Sequence, residues 1–389
     1  MSEESILLSP EEVAKRKQRA VKEDTNLQTP YGEGKYINKG GQVEVRFESQ
    51  GRFSAPEVML FKDYTVEHIN NLTFCKPENI LETLVTIMED IKNVNEENDV
   101  HVADLTLEEF MEALIAIKLQ FNTKEHLHRW VCDCQSGISD DSKKINEKII
   151  DLSTLSYRSI EEADSILKEK FKIELDTLTD EQFKEYIKER YKDNPLDNPE
   201  IWTKADEIDA VKILEPFHYR EPSTKNVYSF RLMRVGDILD AQNKLDSKYA
   251  SKINMVSKKQ TPHGVQLAEF KSKQEKDIEK LKLEQAKETV LMAKALTLIG
   301  FNGQAIEGDN EKYNIYKQLS RKSSFELADF LKDIEFGISD ERDYDCPICG
   351  KTVRRLLQQE FNPIEFLPLD TDTQRVKRES GNINFYFGS

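Results

Sequence analysis

Two close pairs of cysteines, Cys132-Asp133-Cys134 and Cys346-Pro347-Ile348-Cys349-Gly350, give this 389-residue chain its sharpest chemical possibility. In the second pair, thiolates three positions apart can converge on one ion while backbone amides point at the sulfurs. The trailing glycine permits the positive φ that closes such a loop. A structural zinc ion takes four ligands, so Cys346 and Cys349 need two partners, and Cys132 and Cys134 are the other paired cysteines. C-x-C is less usual than C-x-x-C, but it can chelate. The 212 residues separating Cys134 from Cys346 are no obstacle, because closure entropy grows only logarithmically with loop length. The expectation is one zinc ion on Cys132, Cys134, Cys346 and Cys349. His126 or His128 could replace a thiolate, the plainer reading being surface positions on a helix or strand. The two pairs could also be reduced thiols or a redox disulfide. Redox chemistry is disfavoured because C-P-I-C does not open a helix after a strand, so nothing evident lowers a thiol pKa. Cys75, beside Phe74, reads as a small core residue. Five cysteines make no disulfide framework, and a reducing compartment favours metal at close pairs.

Other chemistry is hard to find. The chain has no G-x-x-x-x-G-K-[ST], no G-x-G-x-x-G after a strand, no G-x-S-x-G and no H-E-x-x-H. Glu108/Glu109 and Glu161/Glu162 read as first-turn carboxylates that favour the helix dipole rather than as acid/base pairs. His101 and His218 are isolated. The expectation is that the protein is not an enzyme. With 56 basic and 72 acidic residues the net charge is −16, which repels polyanions at long range and disfavours nucleic acid as a partner. A zinc-ribbon nucleic-acid-binding or regulatory protein is the alternative, on the strength of the knuckle and of Arg354 and Arg355 beyond it. No apolar run approaches the roughly 20 residues that span a bilayer, and Met1 to Pro10 lacks the features of a secretion signal. The expected setting is a cytoplasm, or a particle assembled there, with no membrane partner.

The elements that must carry the cysteines divide the chain into five stretches. Residues 1–42 read as an N-terminal arm, with a short helix begun by Ser9, Pro10 and Glu12 and broken by Gly32, Gly34, Gly40 and Gly41. Residues 43–139 read as a first α+β lobe. Val43, Val45 and Phe47 alternate with charged residues, and Val58 to Phe61 forms a second strand. A helical stripe follows from Ile80 to Ile91, then a helix opened by a Thr106/Glu109 capping box that leads directly into the C-x-C pair. Residues 140–212 read as a charged helical insertion with boxes at Ser159/Glu162 and Thr179/Gln182. Residues 213–369 read as a second α+β lobe, with Tyr228, Phe230 and Leu232 alternating and Gly236-Asp237 turning into a helix. In this lobe a long helix from about Gln266 to Ile299 presents a solvated face rather than a coiled-coil seam. Ser323 and Glu326 then cap a helix that Gly337 ends, just before the knuckle. Residues 370–389 read as a tail with an apolar end at Ile383, Phe385, Tyr386 and Phe387. The fold class is thus α+β and helix-rich: two small strand-containing lobes with an inserted helical segment, held by the cysteine knuckle. The order strand, helix, capped helix, cysteine pair occurs twice, by diverged duplication or by chance.

Val227 to Asp237 (V-Y-S-F-R-L-M-R-V-G-D) and Asp329 to Gly350, closing in D-Y-D-C-P-I-C-G, resemble the T4-type bacteriophage baseplate protein family. Thr352 to Leu356, followed by Phe361, Pro363 and Phe366, are similar to that family's closing strand and Phe-rich segment. The likeness covers roughly Val43 to Cys134 and Lys212 to Pro368, and departs from the family in having C-D-C where a C-x-x-C is expected. It implies a structural virion protein of a contractile tail, either a baseplate hub component or a factor in hub assembly. Its partners would be other tail and baseplate proteins, with self-association open, in a particle assembled in the host cytoplasm.

Overall fold

The computed structural model describes residues 36–38, 42–75, 79–93, 100–121, 125–130, 132–135, 144, 146–190, 202–221, 223–258, 267–338 and 341–356. The expected helix near Ser9 and the apolar tail end lie outside the described residues. The fold is α+β, as the mixture of patterns requires.

A first antiparallel sheet runs β1 (Tyr36–Asn38), β2 (Gln42–Arg46), β3 (Val58–Lys62). Val43 and Val45 of β2 face inward with Met59 and Phe61 of β3, whereas Glu44 is buried beside Arg46, 2.9 Å away. α1 (Val66–Phe74) starts at Thr65, whose hydroxyl accepts from the His68 amide while His68 Nδ1 accepts from the Thr65 amide. α2 (Ile80–Ile91) buries Ile80, Leu84, Ile87, Met88 and Ile91, the stripe its sequence shows. α3 (Leu107–Phe121) opens with the expected box: Glu109 N–H donates to Thr106 Oγ1 at 3.2 Å, and Thr106 N–H donates to Glu109 Oε2 at 3.0 Å. The same carboxylate is fully buried and also accepts from the Ala55 amide, so Glu109 joins the helix to the turn between β2 and β3.

The path from α3 to the cysteines differs from expectation. β4 (Glu125–Trp130) intervenes, and the stretch read as helical from residue 140 contains its partner, β5 (Asn146–Asp151). Neither E-H-L-H-R-W nor N-E-K-I-I-D alternates apolar with polar residues, so no local pattern marks them and pairing fixes them here. β6 (Tyr157–Arg158) precedes the helices α4 (Ile160–Asp176), α5 (Asp180–Arg190) and α6 (Lys204–Ala210). Both expected boxes form, at Ser159/Glu162 and at Thr179/Gln182.

β7 (Phe217–Arg220) and β8 (Val227–Phe230) lead to α7 (Val235–Ser257), and α8 (Leu267–Leu296) returns along it to β9 (Leu298–Phe301) and β10 (Gln304–Ala305). These strands form an antiparallel sheet in the order β10-β9-β8-β7. Gly236 lies inside the first turn of α7 rather than in a turn before it. A Cβ there would stand 2.9 Å from the Ala103 carbonyl oxygen, so the close approach of backbone, not a bend, requires glycine. Asp237 accepts from the Arg234 amide and holds Arg231 through two bonds of 2.7 Å.

α9 (Asp309–Tyr316) and α10 (Arg321–Asp333) follow. The cap of α10 is Ser320, three residues before the expected Ser323, whose hydroxyl instead donates to buried Glu221. Gly337, expected to end that helix, begins β11 (Gly337–Ile338), which pairs with β6. β12 (Glu341–Asp345) and β13 (Thr352–Leu356) close the described chain as a hairpin. The largest core combines β2, β3, α2 and α3 with α7 and the end of α8. Among the described residues no helix is long and apolar enough to cross a membrane.

Candidate metal centre

Both cysteine pairs sit at the turn ends of two-stranded antiparallel hairpins. The β12–β13 ladder ends at Asp345 opposite Thr352, and Cys346 is the next residue. Cys346 N–H donates to the Lys351 carbonyl at 2.9 Å and Gly350 N–H donates to the Cys346 carbonyl at 2.8 Å. Gly350 takes φ +68°, the left-handed conformation expected of it. The β4–β5 ladder ends at Trp130 opposite Asn146, and Cys132 follows two residues on in a short turn where Gln135 N–H donates to the Cys132 carbonyl.

Gln135 is a supporting residue that motif reading missed. Its buried carboxamide donates to the Lys144 carbonyl at 2.9 Å and accepts from the Lys144 amide at 2.7 Å, which ties the C-x-C turn to the start of β5. No spacing rule marks such a clamp, since a lone glutamine in a polar loop is unremarkable. The hairpins also hold each other. Lys148 Nζ of β5 lies 5.0 Å above the ring of buried Tyr344 in β12, and Arg342 donates to Thr154 Oγ1 at 2.9 Å.

At the joined tips the four sulfurs come together. Cys132 Sγ lies 3.8 Å from Cys349 Sγ, Cys134 Sγ lies 4.0 Å from Cys346 Sγ, and all four fall within 4.8 Å of one another. A regular tetrahedron with metal–sulfur bonds of about 2.3 Å has edges of about 3.8 Å, so the set has the dimensions of a four-thiolate metal site. All four cysteines are free thiols, separated by nearly twice the roughly 2.05 Å of a disulfide bond. Cys132 and Cys346 are buried, whereas Cys134 and Cys349 face solvent.

The electrostatics fit a cation. The Cys346 thiol is drawn down to about 7, first by the Cys349 amide, against burial, with help from the Ile348 amide and the neighbouring sulfurs. The Cys134 thiol is pushed up to about 12, chiefly because its S–H is held by Cys132, with burial and the other sulfurs adding to it. Negative charge thus gathers on one sulfur while another keeps its proton, and a dication that displaces the protons resolves the conflict.

The remaining residues singled out from sequence lie elsewhere. His126 and His128 occupy β4 opposite Ile150 and Lys148, and their side chains lie outside the described residues. His101 approaches Glu89 at 3.5 Å, and His218 Nδ1 is 2.9 Å from Ser229 Oγ. Cys75 donates to the Leu72 carbonyl and packs against the main core. No protein-family model, curated protein or solved structure matches this chain.

Proposed function

We propose that this chain is a non-enzymatic structural protein whose four cysteines hold one structural zinc ion, and that it serves in the baseplate of a contractile phage tail, as a hub component or a factor in hub assembly. The observation that carries the metal reading is the convergence of Cys132, Cys134, Cys346 and Cys349 at the tips of two hairpins from distant parts of the chain. Four thiolates favour zinc, which has no geometric preference of its own and accepts a closed tetrahedral sulfur set. A closed set leaves no open coordination position for substrate, which supports a structural role. The baseplate part rests on the resemblance of Val227 to Asp237 and Asp329 to Gly350.

The zinc-ribbon alternative draws on the basic residues of the same hairpins, three of which have partners within the chain: Arg342 with Thr154, Arg354 with Asp343, and Lys148 with Tyr344. Elemental mass spectrometry of the purified chain should find about one zinc per molecule, lost in both Cys132→Ser and Cys346→Ser. Loss in Cys346→Ser alone would confine the site to the knuckle. For the baseplate role, the chain should appear at fixed stoichiometry in purified tails or in their assembly intermediates. Its absence from both, or salt-dependent DNA binding by the purified chain, would overturn that role.

A further inference from the structure

The charge of this molecule is strongly segregated. Residues 247–283 carry nine lysines against four carboxylates, a surplus of five positive charges within a chain whose total is −16. The described ones, 247–258 and 267–283, form the outer part of the α7–α8 hairpin. Tyr249 on α7 and Leu281 on α8 are the outermost of its side chains packed against the main core, and no described residue beyond them is buried. α8 continues for about 20 Å past Leu281, held to α7 by contacts such as Gln274 Nε2 donating to the Val256 carbonyl at 2.6 Å. The result is a basic arm standing clear of the body, with Lys271, Lys273, Lys276 and Lys280 exposed along it. It also carries an exposed apolar side chain, Met255 at 71%, and Leu283, 57% exposed, lies at its base next to Leu281. What sets the arm apart is its concentrated positive charge on an acidic chain, a field that attracts an acidic surface.

A complementary surface exists on the same chain. Residues 173–181, from the end of α4 into α5, carry four carboxylates, Glu174, Asp176, Asp180 and Glu181, and among the described residues the one basic group bonded within them is Lys204, whose Nζ donates to the Leu178 carbonyl at 2.6 Å, so the edge is net acidic. All four are exposed, and beside them Ile173 of α4 is 64% exposed. Among the described residues the arm makes no ion pair with this edge. We propose that the basic arm of one copy docks on the acidic α4–α5 edge of a second copy, lysines meeting carboxylates around Met255 and Ile173. The contact is heterologous, since the two surfaces differ, so repeated association makes a ring if the rotation closes and a filament if it does not. It depends neither on the metal centre nor on the baseplate reading.

Sedimentation velocity of the full chain at low and high salt tests it. Association is expected at about 30 mM salt and should weaken at least tenfold near 500 mM, where charges more than a few ångströms apart are screened. Replacing Lys271, Lys273, Lys276 and Lys280 by Glu should abolish association, as should replacing Glu174, Asp176, Asp180 and Glu181 by Lys. The eightfold variant carrying both reversals should associate again. Unchanged circular dichroism would show that each variant is folded. A wild type that stays monomeric at low salt, association that survives either reversal, or failure of the folded eightfold variant to recover would each overturn the proposal. Binding of the arm to RNA or anionic vesicles without self-association would overturn it as well.

Discussion

Two joints bring distant parts of this chain together, and they are built on different physics. At the first, the starts of α3 and α7 meet: Val235 N–H donates to the Leu105 carbonyl at 3.0 Å and Leu107 N–H donates to the Met233 carbonyl at 3.1 Å. That bridge lies between fully buried Leu105 and Val235 with Phe110 close behind, so apolar burial on every side holds it. At the second joint, the β4–β5 and β12–β13 hairpins meet tip to tip at the margin of the main core, to which their described residues contribute only Ile150 and Tyr344. An isolated two-stranded hairpin is marginal in water. Where the core covers a junction no further fastening is needed; where the tips of two ribbons reach past its margin, a four-sulfur site supplies what burial does not.

Metal removal should separate the two joints most clearly. Stripping the metal with a chelator, to which solvent-facing Cys134 and Cys349 give access, should speed amide exchange in β4, β5, β12 and β13 by at least about 100-fold. Amides of α2 and α3 should keep their protection. Equal loss of protection everywhere would mean that the metal supports the whole fold and that the contrast is false.

The core joint should break by the opposite route. Phe110→Ala, at a side chain only 2% exposed, should cost about 3–5 kcal/mol in chemical denaturation. The fraction that stays folded should keep its full metal content. A variant that lost metal in proportion to its destabilisation would tie the joints into one cooperative unit.

The pH responses should also run in opposite directions. Burial pushes the Glu108 carboxyl at the start of α3 up to about 8, with Glu335 and Glu109 adding repulsion against weaker stabilising hydrogen bonds. Its folded-state pKa lies above that of the unfolded chain, so its contribution is complete in acid, below the ordinary carboxylate range, and is lost as pH rises towards 8. Glu108→Gln should therefore raise the melting temperature relative to wild type at pH about 8 and flatten the decline between roughly pH 5 and 8. Metal affinity should instead rise with pH, because thiols must shed protons to bind. A wild type whose stability is flat over that range would remove the buried-acid account.

The smallest expected effect is at the knuckle itself. Gly350 sits at φ +68° with open space around its Cα, so Gly350→Ala meets only the backbone cost. That is about 1 kcal/mol, or roughly fivefold in zinc affinity by competition titration. No change would show that the turn relaxes freely and does not preorganise the sulfurs.

Elements set by one local rule are legible in the sequence. The α2 stripe, the boxes at Thr106, Ser159 and Thr179, and the C-P-I-C-G turn each depend on a few neighbouring residues, and each stands as expected. Elements decided by a partner far along the chain are not. β4 and β5 are strands because they pair with each other, and Gly337 starts a strand because β6 lies opposite. Glu109 reads as a dipole-favouring carboxylate, yet it is buried because the β2–β3 turn folds over it and offers the Ala55 amide. Ser323 matched a capping pattern three residues late because Ser320, also a serine, reaches the free amide first. At the metal centre the sulfurs were legible and the clamp made by Gln135 was not, since its value depends on Lys144 across a loop.

X-ray absorption at the zinc edge tests the central claim most directly. The account predicts a single shell of four sulfur neighbours at about 2.3 Å in the wild type, with one sulfur replaced by a lighter atom or the metal lost in both Cys132→Ser and Cys346→Ser. Zinc bound through nitrogen or oxygen, or a wild-type chain that binds no metal, would contradict it.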